Sequence, residues 1–148
     1  MKEFYKFDSA PEGSLVMKGL GSIDYCDSYM VIKDTDDSVD EITGRIFTLP
    51  GWIQALLKIR QVFIVRLFGL KTGDHEIPVI EKNEHEVVVG EDDKHLYFRI
   101  SVMKKQAPRG TGIYLTTIVK FNNLLGKIYF FFIKPFHKQV VKSLLKKV

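Results

Sequence analysis

The final segment of the chain, residues 122–148, is an amphipathic sequence that directly follows several strand-like segments. A helix with a large aromatic side needs a broad sheet to cover it. The sequence therefore predicts a sheet packed against a long last helix, an architecture that often encloses a cavity. Helical spacing predicts an apolar side made of Leu125, Tyr129, Phe132, Phe136 and Val140, with Lys127, Lys134 and Lys138 opposite.

Apolar and polar residues alternate repeatedly before this helix, as they do in half-buried strands. A first strand over residues 24–32 is expected to carry Tyr25, Tyr29 and Val31 on one face together with Asp27. Together with the meander that follows it, this strand gives an antiparallel sheet of about five strands and an α+β fold. Turn residues separate the four predicted strands of the meander, which lie at residues 78–81, 86–90, 95–103 and 113–121.

Two helices are predicted between the first strand and the meander. The first covers residues 42–49 and is ended by Pro50 and Gly51. The second covers residues 52–67 and carries two apolar stripes, so we expect it to be covered on two sides. In the final helix, Pro135 predicts a kink because it lacks an N–H and its ring clashes with the preceding turn; two helices meeting near Lys134 is the alternative.

The composition favours one domain. With 148 residues, of which 45% are hydrophobic, the chain is long enough for one core and too short for two typical domains. We expect an irregular arm over residues 1–22, which Pro11, Gly13, Gly19 and Gly21 interrupt, and a single domain over residues 23–148. One cysteine cannot form an internal disulfide, and no signal peptide or membrane-spanning segment is recognisable. We therefore expect a soluble cytoplasmic protein.

The net charge is only +4, but its distribution is uneven. Residues 24–41 contain seven acids, whereas residues 120–148 contain seven lysines and no acid. Lysines near the end of a helix complement its dipole, which is a sufficient structural reason for the last three. The functional alternative is weak contact with an anionic membrane surface or an acidic protein. Nucleic acid is not expected as a partner, because no recognised binding motif accompanies the lysines.

The order of elements resembles the helix-grip fold of the START and birch-pollen-allergen (SRPBCC) superfamily. The sequence is similar in particular to an uncharacterised bacterial family of unknown function within it. The resemblance implies a curved sheet wrapped around a long kinked final helix, with a ligand cavity between them. Superfamily members include lipid carriers, hormone receptors, aromatic cyclases and chaperone regulators. The stretches that carry the resemblance are DYCDSY (24–29), LPGW (49–52), LKIR (57–60), FGLK (68–71), GEDDKHLYFR (90–99), LLGKIY (124–129) and KPFH (134–137).

Arg60 is the most informative single candidate. It falls between the two apolar stripes of the predicted helix over residues 52–67, so its guanidinium is expected to be buried and must then be paired. An internal salt bridge, with Asp27 as a candidate partner, is one interpretation. The other is an anchor for the carboxylate or phosphate of a ligand. An Arg60 side chain that extends to solvent is a third possibility.

No catalytic or metal-binding motif is recognisable. Cys26 has no base nearby in sequence, and the histidines lack the spacing of metal ligands, so we expect no metal and no cofactor. The aromatic content favours an apolar pocket with a few polar groups. The candidate ligand-binding residues are Arg60, Tyr29, Asp27, Phe98, Tyr129, Phe132, Phe136 and His137.

Three functions follow from these observations. The first is a module that binds a hydrophobic or amphipathic small molecule between the sheet and the last helix. The second is an enzyme of the cyclase or hydratase type that uses the same cavity, although no pair of carboxylates in the sequence supports it. The third is an interaction module that uses the basic final helix and exposes Phe131 beside the lysines.

Overall fold

The computed structural model describes residues 5–11, 13–17, 23–46, 79–92 and 96–146. The helix predicted over residues 52–67, and Arg60 with it, lies outside the described residues. Tyr129 lies within the final helix, but its side chain is also outside the description.

The described residues form an α+β fold built on one antiparallel sheet of six strands, in the order β1-β2-β6-β5-β4-β3. A 3₁₀ turn at Leu15–Met17 and two α-helices, α1 (Val39–Ile46) and α2 (Leu124–Leu145), accompany the sheet in this part of the chain. The strands are β1 (Tyr5–Phe7), β2 (Tyr25–Lys33), β3 (Val79–Lys82), β4 (Glu86–Asp92), β5 (Leu96–Ala107) and β6 (Gly110–Phe121).

The sheet has one strand more than the sequence predicts. The five predicted strands correspond to β2 to β6, and the additional strand is β1, which pairs with β2 through Tyr5 and Met30. With three residues, β1 is too short to display the alternation by which strands are recognised. Its side chains are all exposed, as is common in a short edge strand.

The longest strands, β5 and β6, form a hairpin of 12 residues on each side, joined at Pro108 and Arg109. Gly110 starts β6 with a φ of +145°, a conformation that L side chains rarely adopt. A Cβ at this position would also lie 2.9 Å from the backbone oxygen of Lys33. Glycine is therefore required where the hairpin passes the end of β2.

The pairing of β2 with β6 places two strands that are far apart in the chain side by side in the sheet. The ladder runs from Tyr25 opposite Val119 to Lys33 opposite Thr111. Because β6 leads directly into α2, this pairing fixes the helix over β2. The Asn123 side chain caps the helix by accepting a hydrogen bond from the N–H of Gly126 at 3.1 Å.

One face of the sheet, here called the inner face, packs against both α-helices. Tyr29 and Val31 of β2 lie in a single core cluster with residues from the other central strands. Helix α1 contributes Ile42 and Ile46, and α2 contributes three residues near its C-terminal end. The remaining buried members are Val39, Val87, Val89, Val102, Ile113, Leu115, Val141, Leu144 and Leu145.

The side of α2 that faces the sheet is only partly the predicted one, because Val140 packs against the core cluster but other predicted members do not. Phe132 and Phe136 are 67% and 59% exposed, and Leu125 is also exposed. The buried line consists instead of Gly126, Phe130, Val141, Leu144 and Leu145, with His137 partly buried among them. Apolar residues lie on both the buried and the exposed side of the helix, so periodicity could not select its buried side.

Helix α2 is continuous through Pro135, so the alternative of two helices meeting near Lys134 is wrong. No helix among the described residues is both long and apolar enough to cross a membrane.

The opposite, outer face of the sheet is covered by the N-terminal residues. Val16 packs with Val88 and Ile118, and a buried carboxylate holds the arm in place. Glu86 is 1% exposed, and it accepts hydrogen bonds from the Ser14 and Ser101 hydroxyls and from the Leu15 N–H, the last at 2.6 Å. Both carboxylate oxygens therefore have donors from the protein itself.

The substitution Glu86→Gln should release the arm, because the amide nitrogen cannot accept the hydrogen bonds that the carboxylate accepts. We expect the free energy of unfolding in urea to fall by about 1–3 kcal/mol. Limited proteolysis within residues 8–17 should accelerate. The exposed neighbour Glu84 provides the control, and Glu84→Gln should change stability by less than about 0.5 kcal/mol. Equal effects of the two substitutions would show that Glu86 does not anchor the arm.

Candidate binding site beneath the final helix

A polar cluster lies on the inner face where β2 and β6 meet. Alternation along β2 brings Tyr25, Asp27 and Tyr29 to this face, and the strand register sets Asp27 opposite Thr117 of β6. Asp27 is 1% exposed and Thr117 is 4% exposed, so both polar side chains are buried. A carboxylate buried to this degree requires compensation from its surroundings.

Helix α2 covers the cluster with Phe130, Lys134 and His137, which share one side of the helix because they are spaced by four and three residues. The Phe130 ring lies 4.8 Å from the Tyr25 ring between centroids, and the His137 ring lies edge-on to Tyr25 at 6.2 Å. The Lys134 ammonium lies 5.3 Å from the centroid of the Tyr25 ring, within the range of a cation–π contact. Tyr25 therefore connects β2 to three successive turns of the helix.

The two oxygens of Asp27 have different surroundings. Oδ2 accepts a hydrogen bond from the Tyr25 hydroxyl and lies 3.2 Å from His137 Nε2. The histidine contact has the distance of an ion pair but not the angles of a hydrogen bond, since Nε2 has no hydrogen-bond partner among the described residues. Within the described part of the chain, Asp27 Oδ1 and Thr117 Oγ1 also have no hydrogen-bond partner. Unpartnered buried polar atoms are rare in native proteins and typically cost about 1–3 kcal/mol each.

The tyrosines beside Asp27 are held in their neutral form. Burial, the hydrogen bond to Asp27 and its charge raise the pKa of Tyr25 far above its ordinary value. Burial and the charge of Asp27 also raise the pKa of Tyr29. Both phenols are therefore donors around neutral pH. Burial likewise raises the pKa of the Cys26 thiol, so the thiolate needed for nucleophilic chemistry is disfavoured.

Three of the residues predicted from sequence meet in this cluster, namely Asp27, Tyr29 and His137. Phe98 lies in the adjoining aromatic cluster of Tyr25, Val119, Phe121 and Phe130. Phe132 and Phe136 lie on the exposed side of α2 and do not contribute to it. Arg60 and the Tyr129 side chain are outside the described residues.

Four members of the cluster were not among the predicted site residues: Tyr25, Thr117, Phe130 and Lys134. Tyr25 and Thr117 alternate on the same faces as the predicted residues, but they also suit an ordinary core and an ordinary strand. The spacing of Phe130, Lys134 and His137 would have identified the helix side once His137 was chosen. This spacing is visible in the sequence, but no sequence rule distinguishes this side of α2 from the side that carries Phe132 and Phe136.

The cluster contains polar atoms whose hydrogen-bonding capacity no described residue uses. It offers two buried acceptors, Asp27 Oδ1 and Thr117 Oγ1, beside aromatic side chains. His137 beside a carboxylate could also transfer a proton. Across the described ranges, no group of three or more His, Cys, Asp or Glu side chains is arranged to hold a metal ion.

Comparison with protein families matches residues 20–144 to a family described as proteins of unknown function, DUF2867. No curated protein and no solved structure matches the chain.

Replacing Tyr25 by Phe should show how the raised pKa of Tyr25 affects the free energy of unfolding at different pH values. At neutral pH, loss of the hydrogen bond to Asp27 should lower the free energy of unfolding by about 1–3 kcal/mol. Above pH 10.0, the ordinary pKa of tyrosine, the unfolded state ionises while folded Tyr25 keeps its proton, so this part of the wild-type stability declines. The difference between wild type and Tyr25→Phe should therefore narrow as the pH rises above that value. The measurement is urea unfolding across this pH range. Tyr114→Phe, on the outer face, is the control; a difference for Tyr25→Phe that stays constant with pH contradicts the assignment.

Proposed function

The chain belongs to the DUF2867 family of proteins of unknown function, and we propose that it binds an amphipathic small molecule between the inner face of the sheet and α2. The proposal depends on one observation, the incomplete hydrogen bonding of the Asp27 carboxylate by the described residues. A ligand that donates a hydrogen bond to Oδ1 would offset the free-energy cost of burying this carboxylate.

The second buried carboxylate of the same sheet supports this interpretation. Glu86 and Asp27 are both 1% exposed. Glu86 receives three protein donors on two oxygens, which is sufficient for a structural role. Asp27 receives one hydrogen bond on Oδ2, and Oδ1 receives none from the described residues. Polar groups left unsatisfied in this way are more characteristic of functional sites than of structural ones.

The chemistry of the cluster defines the class of ligand. A carboxylate oxygen is only an acceptor, so the ligand must present an N–H or O–H group to Asp27 Oδ1. Thr117 Oγ1 lies opposite in the strand pair and accepts or donates a further bond. The neighbouring rings of Phe98, Phe121 and Phe130 favour an apolar or aromatic body. The ligand we propose therefore combines a hydroxyl or amine head with an apolar body.

A catalytic function is the second candidate, and the contact between His137 and Asp27 favours it. A histidine 3.2 Å from a carboxylate can accept a proton from a bound hydroxyl and return it, which is general acid–base chemistry of the kind that a hydratase or cyclase uses. The two candidates differ in the fate of the ligand. A binding module releases it unchanged, whereas an enzyme converts it, and His137→Gln would then retain binding but lose conversion.

Native mass spectrometry of the full chain purified from cells tests the binding function. The wild type should carry a retained small molecule, and Asp27→Asn should lose it or bind it at least tenfold more weakly, because a hydrogen bond to a charged group contributes about 1.5–3 kcal/mol. Asp37→Asn is the control, since Asp37 pairs with Arg45 at 2.7 Å on the surface and not with the cluster. A consistently empty wild type, or equal retention by Asp27→Asn, would count against the proposal.

Thr117→Val separates binding from folding. Valine keeps the shape of threonine and removes a buried hydroxyl that has no partner among the described residues, so the free energy of unfolding should stay unchanged or rise by up to about 1 kcal/mol. Ligand retention should nevertheless fall. A loss of stability together with unchanged retention would show that the Thr117 hydroxyl is structural.

A double-mutant cycle tests whether Asp27 is instead paired within the chain. Arg60 is the internal partner that the sequence suggests. If Asp27→Asn and Arg60→Met are coupled by more than about 1 kcal/mol in urea unfolding, the two residues interact and Asp27 does not need a ligand. We expect their effects to be additive within about 0.5 kcal/mol.

A further inference from the structure

The exposed side of α2 carries an apolar patch that the binding function does not use. Its rings are far more exposed than is usual for phenylalanine, with Phe131 at 73% and Phe132 at 67%. Contiguous exposed apolar surface of this kind is characteristic of interaction sites. The members of this outer patch are Leu124, Leu125, Ile128, Phe131, Phe132 and Phe136.

Helical geometry makes the outer patch continuous. At 3.6 residues per turn, its members fall on the side of α2 opposite the buried Phe130 and Val141. From Leu124 to Phe136 the patch extends about 18 Å along the helix axis, at 1.5 Å per residue. Its length and its aromatic content exceed what scattered exposed side chains would give.

Positive charge accompanies the outer patch. Lys127 and Lys138 lie along one edge of it on the helical wheel, and Lys142 and Lys146 continue its line toward the C-terminal end. Residues 120–148 contain no acid. The helix dipole accounts for lysines in the last turn but not for Lys127 in the first, where the dipole disfavours a cation. The dipole therefore explains the end of the basic edge but not its beginning.

We propose that the outer patch docks on an anionic membrane surface. Aromatic and leucine side chains beside lysines, without acids, match the chemistry of a bilayer interface that contains acidic lipids. A second copy of the chain in a two-fold dimer would bring these lysines toward each other, which is unfavourable. The surface is on the opposite side of α2 from Asp27, so this inference is independent of the proposed ligand site.

The test is co-sedimentation of the full chain with vesicles of phosphatidylcholine alone or mixed with phosphatidylserine. At about 0.01 M salt, where the Debye length is about 30 Å, the protein should sediment with the anionic vesicles only. At about 1 M salt, where this length is about 3 Å, the association should be largely lost. No sedimentation with anionic vesicles at low salt would overturn the proposal.

Matched variants identify the surface that binds. The double variant Phe131→Ser with Phe132→Ser should weaken binding at least tenfold, because it removes two rings from the interface. Val79→Ser with Ile80→Ser, which alters exposed apolar residues on the edge strand β3, should bind like the wild type. Lys127→Glu should weaken binding about fivefold or more, and Lys6→Glu on β1 should not. Equal binding by the patch variants and their controls would overturn the assignment.

Two comparisons of the wild type with the Phe131→Ser, Phe132→Ser variant exclude other occupants of the patch. Its melting temperature should equal that of the wild type, because a clear decrease would show that the rings pack within the chain. The wild type should remain monomeric in sedimentation equilibrium. A concentration-dependent dimer that the variant loses would show that a second copy covers the patch. Either result would overturn docking on a membrane.

Discussion

The ladder between β2 and β6 sets the first long strand of the chain beside the last one, and only two residues separate the end of β6 from the start of α2. The helix is therefore fixed over β2, although the two elements are far apart in the chain. This contact between distant segments brings Tyr25 and Asp27 beneath Phe130 and His137. The core of the inner face and the polar cluster both depend on it, because each contains residues from β2, β6 and α2.

The two faces of the sheet each contain a buried carboxylate, and these carboxylates differ in the number of hydrogen bonds that they accept from the protein. On the outer face, the N-terminal arm provides donors for both oxygens of Glu86, so burial of this charge holds the arm to the sheet. On the inner face, Asp27 retains an acceptor that no described residue uses. Proteins commonly give up stability at sites that bind other molecules, and this difference within one sheet is the basis of the proposed function.

Much of the architecture could be predicted because it depends on local pattern. The alternation in residues 24–32 identified β2 and placed Asp27 on one face with Tyr25 and Tyr29. The three-residue strand β1 could not be predicted, since it forms only because β2 offers an open edge. The buried side of α2 was predicted only in part. Val140 packs against the core as expected, but Phe132 and Phe136 are exposed, and Phe130 and Val141 are buried instead.

The site was predictable only in part, for a related reason. Asp27, Tyr29 and His137 are recognisable as polar or aromatic residues in apolar segments, but their meeting depends on the register between β2 and β6. The hydrogen bonding of individual oxygens depends on that register and on the rotation of α2, which no sequence rule provides. Arg60, the strongest candidate from sequence, lies outside the described residues.

The atoms around Asp27 Oδ1 decide whether this site holds a ligand. They can be measured in a high-resolution crystal structure of the full chain purified from cells without chemical extraction. We expect electron density for a small molecule with a nitrogen or oxygen atom about 2.7–3.2 Å from Oδ1 and an apolar portion against the Tyr25 and Phe130 rings. A donor from the protein itself at that distance, or an ordered water molecule alone, would contradict it.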